Sequence, residues 1–313
     1  MKLLDKILQG KAPIGKLGYN LCGYIFRSHC RRNDRKRVKK QHFESSDILL
    51  QEDISCGKRK NALLDLYRPV DKKEEKLPLL FDIHGGGFMY GDRKLNYPSA
   101  LSLARLGYVV SLHEYTIAPK GDLYQILKES YEALTYLIEN ADRWNIDSSK
   151  LFLVGDSAGG MIALMLASLL KDKELCALFG FKPLSTAPLG IALFSPMTKM
   201  EREDGMAVPY KVALKKKLKK YPCYDYLAHP IKMITKENAF PLFFTSSKED
   251  MLLGDSEFLK DSLSQLGYSF TYLCAEKGKE HPLEHIYPVI YPEYEESKEV
   301  YQKLALFLDS CKK

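Results

Sequence analysis

Apolar residues gather in short runs along this chain, and several of the runs end in glycine, serine or a charged residue. Continuous apolar runs of this kind predict buried strands, whereas apolar residues that recur at spacings of three and four predict amphipathic helices. The six predicted strands lie within residues 77–88, 106–115, 150–155, 189–195, 240–247 and 269–274. Because helix-like segments separate most of them, the pattern predicts an α/β protein with a mainly parallel sheet covered on both faces.

Two segments fall outside this alternation. The first forty residues precede the sheet, and residues 196–239 interrupt it with lysine-rich, helix-like sequence. Parallel sheets place their sites at the carboxyl ends of the strands, so both segments could form a cap over that edge. The predicted organisation is therefore a set of N-terminal cap helices in residues 1–45 and a core in residues 46–313, with a cap insertion at about 196–239.

The net charge of +7 is concentrated in one part of the chain. Residues 27–40 contain eight Lys or Arg and one Asp, and the other residues contain 39 basic and 39 acidic side chains. Because the excess lies in one local run, a general nucleic-acid-binding surface is not expected. The run is more typical of a solvated helix face than of a contact with anionic lipid or nucleic acid, and residues 211–220 allow the same two interpretations.

Cysteine usage and the first residues predict the compartment. The seven cysteines lack the spacing of metal ligands or of a disulfide framework, which is typical of reduced thiols. The first apolar stretch is broken by Asp5 and Lys6 and so lacks the core of a signal peptide. Residues 17–26 are uncharged but too short to span a bilayer as a helix. These features predict a cytoplasmic protein without stable membrane insertion.

The segment LFLVGDSAGG at residues 151–160 leads from an apolar run into small residues around one hydroxyl group. Gly155 and Gly159 flank Ser157 in the pattern G-x-S-x-G, between a predicted strand and a predicted helix, which is the context of a serine nucleophile. A Cβ at either glycine would collide with the neighbouring strand or helix. The helix that begins at Ala158 would direct free N–H groups toward developing negative charge.

A second glycine cluster, HGGGF at residues 84–88, follows another predicted strand. Three successive glycines let backbone amides approach a ligand closely, as an oxyanion hole requires. A tight turn and a phosphate cradle are the alternatives, but the phosphate-binding pattern G-x-x-x-x-G-K-[ST] does not occur here. His84 is expected to support this loop, and Asp156 to fix it by accepting hydrogen bonds.

In their order and spacing, HGGGF, EYTIAP at residues 114–119 and GDSAGG resemble the hormone-sensitive-lipase-like branch of the α/β-hydrolases. The resemblance covers about residues 60–310. It implies an α/β-hydrolase fold with a mostly parallel eight-stranded sheet, flanking helices and a helical cap. It also implies hydrolysis of short acyl esters without a metal or an organic cofactor. The family usually has an acidic residue after AP, whereas this chain has Lys120. The resemblance therefore does not determine the cap contacts near this residue.

The resemblance also implies which amides would form the oxyanion hole. The candidates are Gly85, Gly86, Gly87 and Ala158, and among the glycines the family's amides map best onto Gly86 and Gly87.

In hydrolases of this class, the acid and the histidine follow the serine along the chain. Asp250 lies just after the predicted strand at 240–247 and before a predicted helix, where the family carries its acid. Glu249 and Asp255 are less well placed, and an acid in such a loop is usually a surface charge or a helix cap.

The base has two candidates, His281 and His285, which both follow the predicted strand at 269–274. His285 is favoured because Ile286 and Tyr287 complete the family's His–x–aromatic pattern. His281 is then interpreted as a histidine of a surface loop.

Three other functions are also consistent with the sequence. HPLEH at residues 281–285 fits the inverted zinc-protease signature H-x-x-E-H, although no other motif supports a metal. A related fold that lost catalysis would bind a ligand without turnover. A membrane-associated lipase would use Leu3, Leu4, Ile7 and Leu8 with the basic run behind them. The favoured interpretation is a serine carboxylesterase that acts on a small acyl ester and does not bind nucleic acid. The sequence leaves open whether the protein forms a homodimer.

Overall fold

The computed structural model describes residues 16–39, 41–199, 207–214 and 216–312. Eight strands lie within these residues: β1 (Ile48–Ser55), β2 (Leu63–Pro69), β3 (Leu77–Ile83), β4 (Val109–His113), β5 (Ile146–Asp156), β6 (Gly190–Phe194), β7 (Leu242–Ser247) and β8 (Phe270–Ala275). They form one sheet in the order β1-β2-β4-β3-β5-β6-β7-β8. β2 pairs antiparallel with β1 and with β4, and all other neighbours pair parallel. The mostly parallel eight-stranded sheet is therefore confirmed.

Helices cover both faces of this sheet. The helices of the described residues are α1 (Lys16–Val38), α2 (Tyr97–Arg105), α3 (Leu123–Glu139), α4 (Ser157–Lys171), α5 (Lys173–Leu178), α6 (Ala207–Ala213), α7 (Tyr224–Ala228), α8 (Leu253–Gln265), α9 (Tyr287–Ile290) and α10 (Glu295–Ser310). Apolar residues of α2 and α10 pack on one face, and those of α3, α4 and α8 pack on the other. Both faces are therefore buried, which is why the central strands are almost continuously apolar.

The carboxyl ends of four neighbouring parallel strands carry the loops that matter for the site. β3 leads into the glycine loop at residues 84–88, and β5 leads directly into α4 at Ser157. β6 ends just before Ser195, and β7 ends three residues before Asp250. Because parallel strands point the same way, all four loops meet at one edge of the sheet.

Helix α1 belongs to the predicted N-terminal cap, and it packs against α6 of the predicted cap insertion. Leu3, Leu4, Ile7 and Leu8 of the membrane-lipase hypothesis lie outside the described residues, as do residues 200–206 and 215 of the insertion. The division into cap and core stays a prediction. Among the described helices, none is both long enough and apolar enough to cross a bilayer.

Candidate active site

Ser157 lies at the turn from β5 into α4 with a positive φ of 49°. This left-handed backbone is strained for a residue that carries a side chain. The glycines around it provide the space for the turn: a Cβ on Gly159 would lie 1.9 Å from the Ile83 carbonyl oxygen, and one on Gly155 would lie 2.5 Å from the Gly159 carbonyl oxygen. Both contacts are with backbone that has no room to move, so the turn around Ser157 requires glycine on each side.

Three side chains that are distant in sequence meet at this turn. His285 Nε2 lies 2.9 Å from Ser157 Oγ, and His285 Nδ1 lies 2.9 Å from Asp250 Oδ1. Asp250 follows β7, and His285 lies between β8 and α9. The carboxylate at Nδ1 favours the tautomer with a proton on that nitrogen, which leaves Nε2 free to accept the proton of the serine hydroxyl. This arrangement can activate a serine for nucleophilic attack.

Several donors hold the Asp250 carboxylate in place. Oδ1 also accepts a hydrogen bond from the Leu252 N–H at 2.7 Å, and Oδ2 accepts one from the Ser246 hydroxyl at 3.1 Å. Burial opposes ionisation, but hydrogen bonds and the positive charge of His285 outweigh it and lower the pKa of Asp250 below its ordinary value. Asp250 is therefore ionised near neutral pH and can orient the imidazole.

The glycine loop brings backbone amides to the same place. Gly86 and Gly87 have positive φ values of 93° and 59°, which favour glycine, and both residues line the cavity that contains Ser157. In the hydrogen bonds between described residues, neither glycine N–H has a partner, and the same holds for Ala158 at the start of α4. Gly85 differs, because its N–H donates to Asp156 Oδ1 at 2.9 Å. The amide of Gly85 thus fixes the loop, and the other three are free to receive an oxyanion.

His84 and Asp156 occupy supporting positions around this loop. The His84 ring stacks on Tyr115 with 4.1 Å between ring centroids, and its Nδ1 lies 3.0 Å from the Gly85 carbonyl oxygen. Complete burial lowers the pKa of His84 to about 4, so the ring is neutral. Asp156 accepts from Gly85 and from Asn96 Nδ2, the latter at 2.8 Å. Neither His84 nor Asp156 forms a hydrogen bond with Ser157 among the bonds of the described chain, and both hold the loop.

Three supporting residues escaped the sequence prediction. Asn96 joins Asp156 to β3, the Tyr115 hydroxyl donates to the Gly85 carbonyl oxygen at 3.0 Å, and Ser195 Oγ accepts from the Ile286 N–H at 3.1 Å. Two of them carried a signal: Ser195 ends a predicted strand, and Tyr115 lies in the EYTIAP motif. Asn96 carried none, because its role depends on contacts with residues 14 and 60 positions away.

Asp82 of β3 shares the Asn96 amide with Asp156, and the distance from Asn96 Nδ2 to Asp82 Oδ1 is 3.1 Å. Burial, and then the nearby charge of Asp156, raise the pKa of Asp82 to about 8. The same burial raises the pKa of Asp156 to about 6. Two carboxyl groups beneath the candidate site thus titrate well above the ordinary range of aspartate.

We expect Asp82→Asn to remove a pH-dependent loss of stability. The folded protein keeps this carboxyl protonated up to about pH 8, whereas the unfolded chain releases the proton near about pH 4. The free energy of unfolding of the wild type therefore carries a contribution that falls as the pH rises from about 4 to about 8. In urea unfolding, the variant should gain about 1 kcal/mol or more relative to wild type between about pH 5 and pH 8. A difference that is constant with pH would contradict this assignment.

The alternative acids have structural partners of their own. Glu249 Oε2 accepts from the N–H groups of Leu283 at 2.8 Å and Gly278 at 3.1 Å. Asp255 Oδ1 accepts from the N–H groups of Thr198 at 3.0 Å and Lys199 at 2.9 Å. Both carboxylates tie loops together, and among the described contacts neither is bonded to a histidine.

His281 lies apart from Ser157. It is exposed, it stacks on Tyr294 with 4.6 Å between centroids, and it lines a separate groove of about 1,000 Å³ between β8 and α10. Residues 281–285 form a non-helical loop, so His281 and His285 do not share the helix face that the H-x-x-E-H signature requires. His285 is instead engaged by Ser157 and Asp250.

A cavity of about 260 Å³ lies above Ser157. One wall comes from α1, through Phe26, Cys30, Asn33, Asp34 and Arg37. The opposite wall includes the glycine loop, His285 and apolar side chains of the core, namely Leu95, Met251, Ile286 and Ile290.

Two polar contacts attach α1 and the segment that follows it to the core beside this cavity, one through Asp34 of the helix and one through Gln41. The Tyr90 hydroxyl donates to Asp34 Oδ2 at 2.6 Å, and Gln41 Nε2 donates to the Ile290 carbonyl oxygen at 2.6 Å. Arg37 bridges Asp34 and Gln41 with two further hydrogen bonds of 3.0 Å. The position of the helix over Ser157 is therefore set by side chains that are themselves near the cavity.

A protein family described as alpha/beta hydrolase fold matches residues 80–282, about two thirds of the chain. The matched range includes the glycine loop, Ser157 and Asp250, and it ends three residues before His285.

Individual relatives and structures agree with this match. An esterase of Gibberella moniliformis is 30% identical over 138 residues, which cover 44% of this chain and 43% of that protein. An acetyl esterase of Salmonella schwarzengrund is 33% identical over 111 residues, which cover 35% and 33%. The chain thus spans less than half the length of these curated relatives. Esterase B of Lactobacillus rhamnosis, in a crystal structure with a tributyrin phosphonate, has the same fold, with a TM-score of 0.87 and 21% identity over 95% of this chain and 96% of that one.

Proposed function

The chain belongs to the alpha/beta hydrolase fold family, and on this basis we propose that it is a serine carboxylesterase that hydrolyses short-chain acyl esters. The observation that carries the proposal is the relay from Ser157 through His285 to Asp250, in which both hydrogen bonds measure 2.9 Å. The relatives named esterase and acetyl esterase support the same activity.

The relay would perform acyl transfer in two steps. His285 Nε2 accepts the hydroxyl proton while Ser157 Oγ bonds to the ester carbonyl carbon, and the same imidazole then gives the proton to the departing alcohol as the ester C–O bond breaks. Water next attacks the acyl-serine with His285 as base, which releases the carboxylic acid and restores the serine. Asp250 stabilises the imidazolium that forms in each step.

The free N–H groups of Gly86, Gly87 and Ala158 would donate hydrogen bonds to the carbonyl oxygen of the ester, on which negative charge develops. The glycine loop fixes the first two amides and the start of α4 fixes that of Ala158 before the reaction begins, so no reorganisation is needed as the charge forms. A donor of this kind contributes about 10²–10³-fold to the rate.

The size of the cavity supports a short acyl chain. Its volume of about 260 Å³ is below the range of roughly 300–1,000 Å³ typical of pockets for drug-sized ligands. We therefore propose acetyl to butyryl esters as the substrates, with the apolar side chains near Ser157 in contact with the alkyl chain.

The chain-length preference can be measured directly with p-nitrophenyl esters. We expect kcat/KM for the acetate and the butyrate to exceed that for the octanoate by about tenfold or more, since the longer chain would have to displace cavity walls. A preference for the octanoate would contradict the short-chain assignment.

Covalent labelling identifies the nucleophile. A p-nitrophenyl alkylphosphonate should modify the wild type once per chain, at Ser157, and abolish turnover. Ser157→Ala is the matched control, and it should be neither labelled by the phosphonate nor active. Tight binding of ester analogues by folded wild-type protein without turnover would instead indicate a ligand-binding protein, and activity lost on adding a chelator would indicate a metal.

We further propose that residues 1–45 and 196–239 act as the cap of this esterase, because α1 forms one wall of the cavity. A cytoplasmic location is proposed with it, since the six cysteines whose side chains are described are free thiols.

A further inference from the structure

The two sides of α1 have different surroundings. One side lines the cavity above Ser157, and the other is exposed and carries most of the excess charge of the chain. We propose that this outer face binds the surface of a membrane that contains anionic phospholipids. The cations of the face are Arg31, Arg32, Arg35, Lys36 and Lys39.

These five side chains form one local cationic surface. Together with Ser28 they line a shallow groove of about 380 Å³, and all of them are exposed. Among the ion pairs between described residues, none involves these five; the pair from this run, Arg37–Asp34, lies on the cavity side. The charge of the outer face is therefore available to an external partner.

Apolar side chains continue the same face toward the start of the helix. Leu21 is 57% exposed and Tyr24 is 65% exposed, so neither is buried against the protein. Spacings of three and four residues lead from Leu21 and Tyr24 through Ser28 to Arg31 and Arg35, which places them on one side of the helix. A tyrosine and an aliphatic side chain next to arginines are typical of a helix that lies in a lipid interface.

The pattern fits a lipid surface better than a nucleic acid. The five cations of this face lie within residues 31–39, a length of about 12 Å along the direction of α1. The exposed Leu21 and Tyr24 would also remain in water beside a duplex, whereas headgroups and acyl chains would cover them.

This orientation would also affect the cavity. Because α1 separates the cationic face from Ser157, a membrane bound to the outer face would lie one helix diameter from the candidate site. Met251, which lines the cavity and is 64% exposed, is a further apolar group at the cavity surface.

Co-sedimentation with lipid vesicles tests the proposal on the full chain. We expect binding to phosphatidylcholine vesicles with about 30 mol% phosphatidylserine, and at least about tenfold weaker binding to pure phosphatidylcholine. Arg31→Glu/Arg35→Glu should reduce binding to the anionic vesicles by about tenfold or more, since each cation near the surface contributes. Lys171→Glu/Lys173→Glu makes the same charge change at the end of α4, about 20 Å along that helix from Ser157, and at the start of α5. This control should bind as the wild type does.

A second variant separates the apolar part from the charge. Tyr24→Asn should weaken vesicle binding most at high salt, where screening removes the electrostatic attraction. Equal binding to both kinds of vesicle, or unchanged binding by Arg31→Glu/Arg35→Glu, would overturn the proposal. So would binding to duplex DNA or to RNA at a salt concentration at which anionic vesicles do not bind.

The vesicle experiment is independent of the proposed esterase activity. Ser157→Ala should bind anionic vesicles as the wild type does, and Arg31→Glu/Arg35→Glu should hydrolyse soluble p-nitrophenyl acetate within about twofold of the wild type. A protein that lacks esterase activity but binds anionic vesicles would therefore still support the membrane-binding proposal. An active esterase that does not bind them would contradict it.

Discussion

His285→Ala is expected to lower kcat/KM for p-nitrophenyl acetate by at least about a thousandfold, with the protein still folded. The imidazole is the group within 2.9 Å of Ser157 Oγ that can accept its proton. Without that base the hydroxyl is a weak nucleophile, and only the amide donors and substrate positioning keep the rate above that of the solution reaction. Steady-state kinetics measure the loss, and circular dichroism checks the fold.

His281→Ala is the matched control for this variant. It removes the same side chain four residues earlier, from an exposed position against Tyr294. Its kcat/KM should stay within about twofold of the wild type, because the ring is exposed and makes no described contact with Ser157, Asp250 or His285. If His281→Ala lost as much activity as His285→Ala, the relay would be assigned to the wrong histidine.

Gly159→Ala is expected to be strongly damaging to both stability and activity. The new Cβ would lie 1.9 Å from the Ile83 carbonyl oxygen and 2.7 Å from that of His84, so α4 would have to move away from β3. We expect a free energy of unfolding lower by about 3 kcal/mol or more, or no soluble protein. In any folded fraction, kcat should fall by about 10²-fold, since displacement of α4 also moves Ser157 relative to His285.

The control for Gly159→Ala is Gly254→Ala in the first turn of α8, where nothing lies within 4 Å of the added Cβ. Alanine has the higher helix propensity, so the free energy of unfolding should be unchanged or higher by up to about 1 kcal/mol. Urea unfolding compares the two variants with the wild type. A Gly159→Ala protein as stable as the Gly254→Ala protein would show that the turn is not tightly packed.

The central strands could be predicted from the sequence because both of their faces are buried, and this makes them continuously apolar. β1 and β2 did not follow from the pattern. β1 lies at the edge of the sheet with only Ile48 buried, so it shows no apolar run. β2 carries Asp65 and Arg68 at buried positions, where Asp65 pairs with Arg93 at 2.8 Å. Paired buried charges look like surface charges in a sequence, since the partner is known only from the fold.

The nucleophile could be predicted with more precision than its partners. The glycines around Ser157 are required by local sterics, which a short sequence pattern can record. The choice of Asp250 over Glu249, and of His285 over His281, depends on which side chains converge across 128 and 35 positions. Ser195 and Asn96 were not predicted for the same reason, because their contacts with the site join separate strands and loops.

The reacting groups and the cavity wall opposite them come from different parts of the chain. Ser157, Asp250 and His285 are positioned by the sheet, whereas Cys30 and Asn33 belong to a helix that precedes the first strand. On the proposed esterase function, substitutions in α1 can therefore change which esters fit, while Ser157, Asp250 and His285 keep their positions on the sheet. In this architecture, selectivity and reactivity are separable traits.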